Sequence, residues 1–298
     1  MLDSNNKLTP LGRQASINYA LDRDVQDALL ESLRTFTPLE YKSNRGQKVI
    51  EVLGLANDNG TLSDYGRIRA IELLSLRAQC QILDLNLNTL TLTKRNPVVE
   101  VDALTFFINE RWRGVPYEGN AFLFLITAMC RDVLIDFIRE DLPREVEIKS
   151  GPLLPGALYR WPIVNRTPEN RRRRLIDEIR ESGSRQIKRG FQAFFRGSSL
   201  EREFPLISEK FLQELFDSLG TETIVNLAKF IMDDPFHHRF GWPDLTLIRE
   251  GIARFVEIKV GDKLRFYQIQ TFDKLRFELP ALEVIRITRK SDDCSTSG

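Results

Sequence analysis

Gly241-Trp242-Pro243-Asp244-Leu245 is the stretch that decides the fold, and Glu257-Ile258-Lys259 follows it, thirteen residues after Asp244. Between the two, an apolar run leads into a turn at Arg249-Glu250-Gly251, and an extended pattern resumes from Ala253 to Val260. Two β-rich runs separated by a short turn that contains glycine are typical of a hairpin. The sequence therefore predicts that Asp244 and Glu257 lie on paired strands.

The residue types in this hairpin suit metal-dependent phosphodiester hydrolysis. Side chains alternate between the faces of a strand, so Glu257 and Lys259 point the same way, about 7 Å apart, while Ile258 points into the core. Asp244 on the neighbouring strand can reach the same place. Two carboxylates bind a hard divalent cation through oxygen, and an ammonium group can hold a water molecule or stabilise charge on a phosphate. A solvated strand face would alternate in the same way, and the hairpin alone leaves that alternative open.

Length and charge bound the class of protein. A chain of 298 residues forms one large domain or two small ones. The 43 Lys and Arg residues nearly balance the 42 Asp and Glu residues, so the net charge does not indicate a nucleic-acid partner. The basic residues are unevenly distributed, however, because ten Arg and one Lys face only four acidic residues between Arg160 and Arg196. This local excess of positive charge is the electrostatic feature that could bind DNA.

The composition is that of a protein from a reducing cytosol. Three cysteines, Cys80, Cys130 and Cys294, are odd in number and widely spaced, which argues against a disulfide framework. The polar start Met1–Asn6 is unlike a signal peptide, and the longest apolar run, Ala121 to Cys130, is too short to cross a bilayer. We predict a soluble cytoplasmic protein without a membrane partner, associated with the nucleoid if the source is prokaryotic.

Residues 1–95 are predicted to be mostly helical. Helices are expected at Val25–Phe36, Arg45–Leu53 and Ser63–Cys80, with a turn at Asn57–Gly60 before the last of them. These helices would form either a winged-helix-like unit, which could bind DNA, or a plain helical bundle. Both alternatives stay open.

The rest of the chain is predicted to combine helices with a mixed sheet. Helices are expected from Pro97, capped by Asn96, to about Asn109; from Ala121 to about Arg139; from Pro168, capped by Thr167; over Ser208–Leu219; over Glu222–Met232; and over Lys263–Phe277. A last strand is expected over Leu282–Ile287, and residues 291–298 are expected to be a disordered tail. A helix between the hairpin and this strand favours a mixed sheet with helices on its faces, in an α+β fold.

Several motifs resemble a known nuclease family. The segments Trp242–Leu245, Val256–Lys259 and Asp262–Leu264, together with Gln268, resemble the VRR-NUC signature, a branch of the PD-(D/E)xK superfamily. Further segments, in the same order along the chain, resemble the Fanconi-associated nuclease group: Val99-Glu100, Trp112-Arg113-Gly114, Tyr117-Glu118-Gly119, Arg171–Leu175 and Ala228–Asp234. The resemblance covers about residues 97–290.

This resemblance implies a fold, a cofactor and a set of site residues. The fold would be a restriction-endonuclease-like PD-(D/E)xK core, and the cofactor would be Mg²⁺ or Mn²⁺. The metal ligands would be Glu100, Asp244, Glu257 and the main-chain carbonyl of Ile258. Lys259 would be the catalytic lysine, and Gln268 would support the site from the following helix. The loop Val260-Gly261-Asp262 departs from the family, in which it usually reads Gly-Pro-x-Asp and is one residue longer.

DNA contacts are predicted at basic residues near these motifs: Arg171, Arg174, Arg239, Lys263 and Arg265. Four successive arginines, Arg171–Arg174, point round a whole helix, so at most two can meet DNA on one face, and a solvated helix face is the alternative. Glu118 is expected either to orient groups around the site or to cap the next helix. The three tryptophans, Trp112, Trp161 and Trp242, are expected to pack in the core or its rim.

The predicted function is a divalent-metal-dependent DNA nuclease for flap, end-bearing or branched DNA. We expect a 5′–3′ exonuclease or flap endonuclease that acts in DNA repair. The predicted regions are residues 1–95 (helical, DNA-binding), residues 96–290 (the nuclease domain) and the tail. One alternative is a dimeric junction resolvase or restriction-like endonuclease, which the subunit mass in solution would distinguish. Another is a non-catalytic DNA-binding module, and the intact set Glu100, Asp244, Glu257 and Lys259 argues against it.

Overall fold

The computed structural model describes residues 21–40, 43–93, 96–141, 168–235, 238 and 240–289. Over these ranges the chain forms thirteen α-helices and five β-strands. It divides into two compact units. The helical unit comprises Met1–Asp84 and Asp262–Gln270, and the sheet unit comprises Leu85–Gly261 and Thr271–Gly298. The predicted α+β fold with a mixed sheet is confirmed.

Four helices lie wholly within the described part of the helical unit: α1 (Arg23–Thr35), α2 (Asn44–Leu53), α3 (Asp64–Leu73) and α4 (Leu76–Ile82). Serine side chains cap the last three, because Ser43, Ser63 and Ser75 each accept a hydrogen bond from a backbone N–H in the first turn. The single helix predicted over Ser63–Cys80 is therefore wrong. A new cap at Ser75 divides it into α3 and α4.

The turn before α3 is closed by one antiparallel bridge, between Ala56 and Leu62. Among the described residues of the helical unit, this bridge is the only β-pairing. The apolar faces of the helices bury Val25, Leu29 and Ile50 around a small core of their own. The described part of the unit is thus a helical bundle with a bridged turn.

The sheet has the strand order β1-β5-β4-β3-β2. Its strands are β1 (Asn86–Leu92), β2 (Arg113–Val115), β3 (Leu245–Arg249), β4 (Ile252–Lys259) and β5 (Leu282–Arg289). β1, β5 and β4 are parallel, whereas β3 and β2 run antiparallel to their neighbours. The predicted hairpin and last strand are confirmed. The extension of the helical region to residue 95 is wrong, because β1 pairs with β5 from the other end of the chain.

Nine helices complete the described part of the chain: α5 (Val99–Asn109), α6 (Asn120–Met129), α7 (Arg131–Asp141), α8 (Glu169–Glu181), α9 (Ser184–Phe194), α10 (Ser199–Glu203), α11 (Glu209–Leu219), α12 (Thr221–Asp233) and α13 (Phe266–Leu275). None of the described helices combines the length and hydropathy that crossing a membrane requires. The helices α9 and α10 were not predicted.

Several predicted helix boundaries differ from the structure; the helix predicted over Lys263–Phe277, for example, is α13 and covers Phe266–Leu275. The helix α5 starts at Val99 instead of Pro97. The Asn96 side chain accepts a hydrogen bond from the N–H of Val98, and this bond forms a turn before the helix. The helix predicted from Ala121 is two helices, which meet at Cys130. The basic helix starts at Glu169, after Pro168, and its predicted cap Thr167 lies outside the described residues, as do residues 291–298.

Apolar packing surrounds the central strand β4. On one face, Val256 and Ile258 join a buried cluster with Leu104 and Phe107 of α5. On the other face, Phe255 contacts Phe122 of α6, with ring centroids 6.2 Å apart, and every residue of this helix after Asn120 is buried. The polar side chains of Glu257 and Lys259 on β4 are therefore carried into a region with little water.

Candidate active site

The β3–β4 hairpin brings Asp244 beside Glu257. Leu245 pairs with Val256, so Asp244 immediately precedes this pair on one strand and Glu257 immediately follows it on the other. The backbone N–H of Ile258 donates a hydrogen bond of 2.7 Å to Asp244 Oδ2. The hairpin predicted from the two motifs therefore places both carboxylates at one end of the sheet.

Glu257 and Lys259 form a buried ion pair on β4. Lys259 Nζ lies 2.6 Å from Glu257 Oε1, and the two side chains are only 7% and 1% exposed. Both residues point to the same face of the strand, as the period-two alternation predicts. A buried pair of this kind is held by the surrounding packing, because desolvation offsets much of its Coulomb attraction.

The pKa values of the Asp244 and Glu257 carboxyl groups are raised. Burial raises the pKa of Asp244 to about 6, although the Ile258 N–H and the Lys259 ammonium oppose this change. Burial also raises the pKa of Glu257 well above its ordinary value, and the neighbouring Asp244 charge adds to the increase. Poorly solvated carboxylates that repel one another are stabilised by a cation, and shifted groups of this kind cluster at functional sites.

The charges of two further glutamates contribute to the electrostatic field of this site. The charges of Glu100 and Glu118 both raise the pKa of Asp244. The pKa of Glu118 is itself raised, first by burial and then by the charge of Glu100. Glu100 lies in the first turn of α5 and is half-buried. On the same helix, Leu104 and Phe107 are buried against the sheet.

Glu118 is the acidic residue whose part in the site the sequence left undecided. The cap position of α6 is Gly119, which makes no side-chain capping bond. The charge of Glu118 instead acts on Asp244 and Glu257. The strand β2 explains its position, because Val115 pairs with Thr246, and Glu118 follows three residues later, near the point where Asp244 precedes β3. This register is invisible in the sequence, since β2 has only three residues.

Gly119 and Trp242 bring the segments Tyr117–Gly119 and Trp242–Leu245 into close contact. Gly119 has a φ of +68°, and a Cβ atom there would lie 2.5 Å from Cγ of Trp242. Trp242 is buried and donates from Nε1 to the carbonyl of His238 at 2.7 Å. The predicted packing role is confirmed for Trp242 and for Trp112, which is also buried. Trp161 lies outside the described residues.

The donor set suits a hard divalent cation. Carboxylate oxygens from Glu100, Asp244 and Glu257, with a main-chain carbonyl, are the ligands that Mg²⁺ and Mn²⁺ prefer. In the described part of the chain, no three acidic, histidine or cysteine side chains are grouped closely enough to hold a metal ion. The ammonium of Lys259 instead neutralises Glu257. The residues fit such an ion by their chemistry, and their role as ligands stays a prediction.

Three other predicted residues, Lys263, Arg265 and Gln268, belong to the helical unit. Gln268 Oε1 accepts a hydrogen bond of 3.1 Å from the backbone N–H of Arg265, which caps the start of α13. Lys263 Nζ donates to the carbonyl of Glu72 at 2.5 Å. The catalytic role of Gln268 and the DNA contacts of Lys263 and Arg265 stay predictions. Arg239 lies outside the described residues.

The arginine run on α8 is paired with carboxylates. The ion pairs are Arg171–Glu140 (3.0 Å), Arg172–Asp233 (3.2 Å), Arg173–Glu169 (3.3 Å) and Arg174 with both Asp136 (3.3 Å) and Glu140 (3.0 Å). Arg171 and Arg174 also lie over the ring of Phe137. Ion pairs at the protein surface are worth about 0.2–1 kcal/mol, so phosphate could displace the more exposed of them. The predicted DNA contacts of Arg171 and Arg174 stay predictions.

Comparison with known proteins finds no matching family model and no matching curated protein. The fold does match solved structures of paFAN1. The complex of paFAN1 with 2-nt 5′-flap DNA with a gap matches with a TM-score of 0.57 and 19% identity, over 95% of this chain and 52% of that chain. The complex with 1-nt 5′-flap DNA with a gap matches with a TM-score of 0.53 and 16% identity, over the same shares.

This chain thus spans about half the length of the structures that it matches. At such low identity, the likeness establishes the fold. The chain has the α+β fold of the matched part of paFAN1, and the resemblance to the Fanconi-associated nuclease group that its motifs indicate is confirmed at the level of the fold.

Proposed function

We propose that this chain is a divalent-metal-dependent DNA nuclease that hydrolyses phosphodiester bonds in flap, end-bearing or branched DNA. The observation that carries this proposal is the juxtaposition of Asp244, Glu257 and Lys259 at one end of a buried hairpin. Two carboxylates with raised pKa values and a buried ammonium form an unusual group for a purely structural role.

Four residues would hold the metal ion. Glu100, Asp244 and Glu257 would supply carboxylate oxygens, and Ile258 would supply its main-chain carbonyl. When bound, Mg²⁺ or Mn²⁺ acts as a Lewis acid toward the phosphate. The Ile258 N–H fixes one oxygen of Asp244, so this carboxylate keeps its orientation when DNA arrives.

Lys259 is the proposed catalytic lysine. Its ammonium is buried and already oriented by Glu257, so little reorganisation is needed when charge develops near it. It would donate hydrogen bonds to the attacking water, or to the phosphate oxygen on which negative charge develops.

Flap DNA is the proposed substrate. The solved paFAN1 complexes hold 5′-flap DNA with a gap. The match takes in 95% of this chain, which supports a similar class of substrate. We infer a 5′–3′ exonuclease or flap-endonuclease activity in DNA repair. The helical unit and the basic helix α8 are the proposed DNA-binding surfaces, because each carries residues predicted to contact phosphate.

The test is digestion of end-labelled single-stranded, duplex, 5′-flap and four-way DNA in Mg²⁺ or Mn²⁺. We expect cutting of the 5′-flap substrate near its junction, faster than cutting of intact duplex. DNA binding without cleavage in either metal would overturn the proposal in favour of a non-catalytic binding module. Preferred cutting of four-way DNA by a protein with twice the subunit mass in solution would favour the dimeric resolvase.

A further inference from the structure

Arg286 lies beside Lys259 on the neighbouring strand of the sheet unit. The strands β4 and β5 are parallel, and their register pairs Lys259 with Arg286. The preceding pair, Ile258 and Ile285, enters the apolar cluster on the α5 side of the sheet. Because side chains alternate along a strand, Lys259 and Arg286 both project from the opposite face. Neighbouring strands are about 4.8 Å apart, so the two cations start from adjacent positions on one face.

The guanidinium of Arg286 has no partner within the folded chain. Arg286 is half-buried, and its Nε is buried without a hydrogen-bond partner. Among the described residues, the side chain also forms no ion pair and no ring contact. Arg254, on β4, differs in this respect because it pairs with Glu283. A buried donor that lacks a partner is unfavourable, so Arg286 suits a ligand that the chain itself does not supply.

The charges at this end of the sheet explain why such a ligand would be a phosphate. Four carboxylates influence one another here, those of Glu100, Glu118, Asp244 and Glu257. Lys259 lies 2.6 Å from Glu257, so its charge is largely compensated. DNA carries a negative charge on every phosphate, and carboxylates repel it. Arg286 is separated from Asp244 by the strand β4, and its charge is available to a phosphate on the far side of Lys259.

We propose that Arg286 binds a phosphate of the DNA strand that is cut, next to the scissile phosphodiester. This role rests on the proposed nuclease function. The planar guanidinium offers two parallel N–H donors, which match the oxygens of a phosphate group. A contact with a phosphate that does not react is equally strong before and during the reaction. Its loss should therefore raise KM and leave kcat nearly unchanged.

The experiment compares the full chain with Arg286→Gln and with a control, Arg202→Gln. Arg202 is exposed on α10, so the control removes the same charge from another part of the sheet unit. We expect the KM for 5′-flap DNA to rise about 10-fold in Arg286→Gln, as for the loss of one charged hydrogen bond. The control should keep the wild-type KM, and kcat should stay within about twofold in both variants.

The salt dependence of DNA affinity identifies the contact as one with phosphate. Each phosphate that a protein neutralises adds about 0.7 to 0.9 to the slope of log affinity against log salt concentration. The slope should fall by about this amount in Arg286→Gln. Arg286→Lys should keep the wild-type slope, because the charge is retained.

Modified DNA locates the phosphate. A neutral methylphosphonate can replace the phosphate on either side of the scissile bond, in two separate substrates. One of these substrates should have about a 10-fold higher KM with the wild type. The same substrate and unmodified DNA should have equal KM values with Arg286→Gln, because the contact is already lost.

Thermal unfolding separates this role from a structural one. Arg286→Gln should melt at the wild-type temperature or above it, because no contact within the protein is lost. A variant that melts lower or does not fold would show that the guanidinium supports the fold, and would overturn the proposal.

Two other results would also overturn it: an unchanged KM and salt slope in Arg286→Gln, or methylphosphonate penalties that are the same in this variant as in the wild type. A wild-type protein that binds DNA without cutting it would remove the proposed function, and with it the place of Arg286 beside a scissile bond. An active wild type with an equally low KM in Arg286→Gln would remove the role of Arg286 alone.

Discussion

The backbone N–H of Ile258 on one strand of the hairpin donates a 2.7 Å hydrogen bond to Asp244 Oδ2 at the start of the other. This bond ties the orientation of a candidate metal ligand to the strand that carries Glu257 and Lys259. The bond also lowers the pKa of Asp244, but burial raises this pKa by more, so the net change is an increase. The cost of ionising Asp244 in the metal-free protein is therefore measurable.

The first prediction concerns stability and pH. The pKa of Asp244 is raised from its ordinary value of 3.8 to about 6 in the folded protein. Between these two pH values, the folded protein keeps a proton that the unfolded chain has released. Stability from this protonated form is complete below about pH 4 and is lost as the pH rises through about 6. In a chelator above pH 7, Asp244→Asn should raise the free energy of unfolding by about 3 kcal/mol.

Urea denaturation between pH 4 and 8 measures this difference, which should shrink as the pH falls toward 4. Asn keeps an oxygen that can accept from Ile258, so the hairpin bond survives the substitution. A variant less stable than wild type at pH 8 would show that the ionised carboxylate stabilises the metal-free fold.

The second prediction separates the ligands from the lysine. Asp244→Ala and Glu257→Ala should each abolish both metal binding and cleavage, because each removes a carboxylate that compensates the charge of the ion. Lys259→Ala should lower kcat by at least about 100-fold and leave metal affinity largely intact. Calorimetric titration with Mn²⁺ alongside cleavage assays distinguishes the two classes. Unchanged metal affinity in Asp244→Ala would disprove its assignment as a ligand.

The third prediction tests Glu100, which lies on the helix α5, far along the chain from the hairpin. Its charge raises the pKa of Asp244, so Glu100→Gln should leave the metal-free fold as stable as wild type or more stable. Cleavage should nevertheless fall by orders of magnitude, because one ligand is lost. Glu110→Gln, at the exposed end of the same helix, is the control. Cleavage at the wild-type rate by folded Glu100→Gln protein would exclude this residue from the site.

The fourth prediction concerns the contact between Gly119 and Trp242. Gly119→Ala places a Cβ atom 2.5 Å from Trp242 Cγ and strains a φ of +68°. It should destabilise the protein by about 3 kcal/mol or more, since overpacking adds to the backbone cost. Gly251→Ala is the matched control, because its φ of +78° is similar but its surroundings are open. Its expected cost is about 1 kcal/mol. Equal melting temperatures for the two variants would show that the Trp242 contact matters little.

Local patterns in the sequence predict the catalytic hairpin well. Asp244, Glu257 and Lys259 lie close together along the chain, and strand alternation alone places the last two on one face. The strand Asn86–Leu92 was missed because its partner, Leu282–Arg289, lies almost two hundred residues away. Pairing over such a separation leaves no local signal.

Side-chain pairing was the other feature that the sequence could not supply. The run Arg171–Arg174 indicates a basic surface, yet each arginine meets a carboxylate in the folded chain. Two of these carboxylates, Asp136 and Glu140, come from α7, which the sequence places more than thirty residues earlier. Glu118 shows the converse, because the sequence left its role open and the register of β2 brings it close enough for its charge to act on the site.

Metal-dependent cleavage by Asp244, Glu257 and Lys259 is tested most directly by one chelation and rescue experiment on a 5′-flap duplex. Wild-type protein should cut in Mg²⁺ or Mn²⁺, stop in excess chelator, and recover when the metal is restored. Glu257→Gln should stay inactive throughout, whereas Glu250→Gln, on the exposed turn of the same hairpin, should behave like wild type. Robust cleavage in excess chelator, or by Glu257→Gln in metal, would contradict the proposed site.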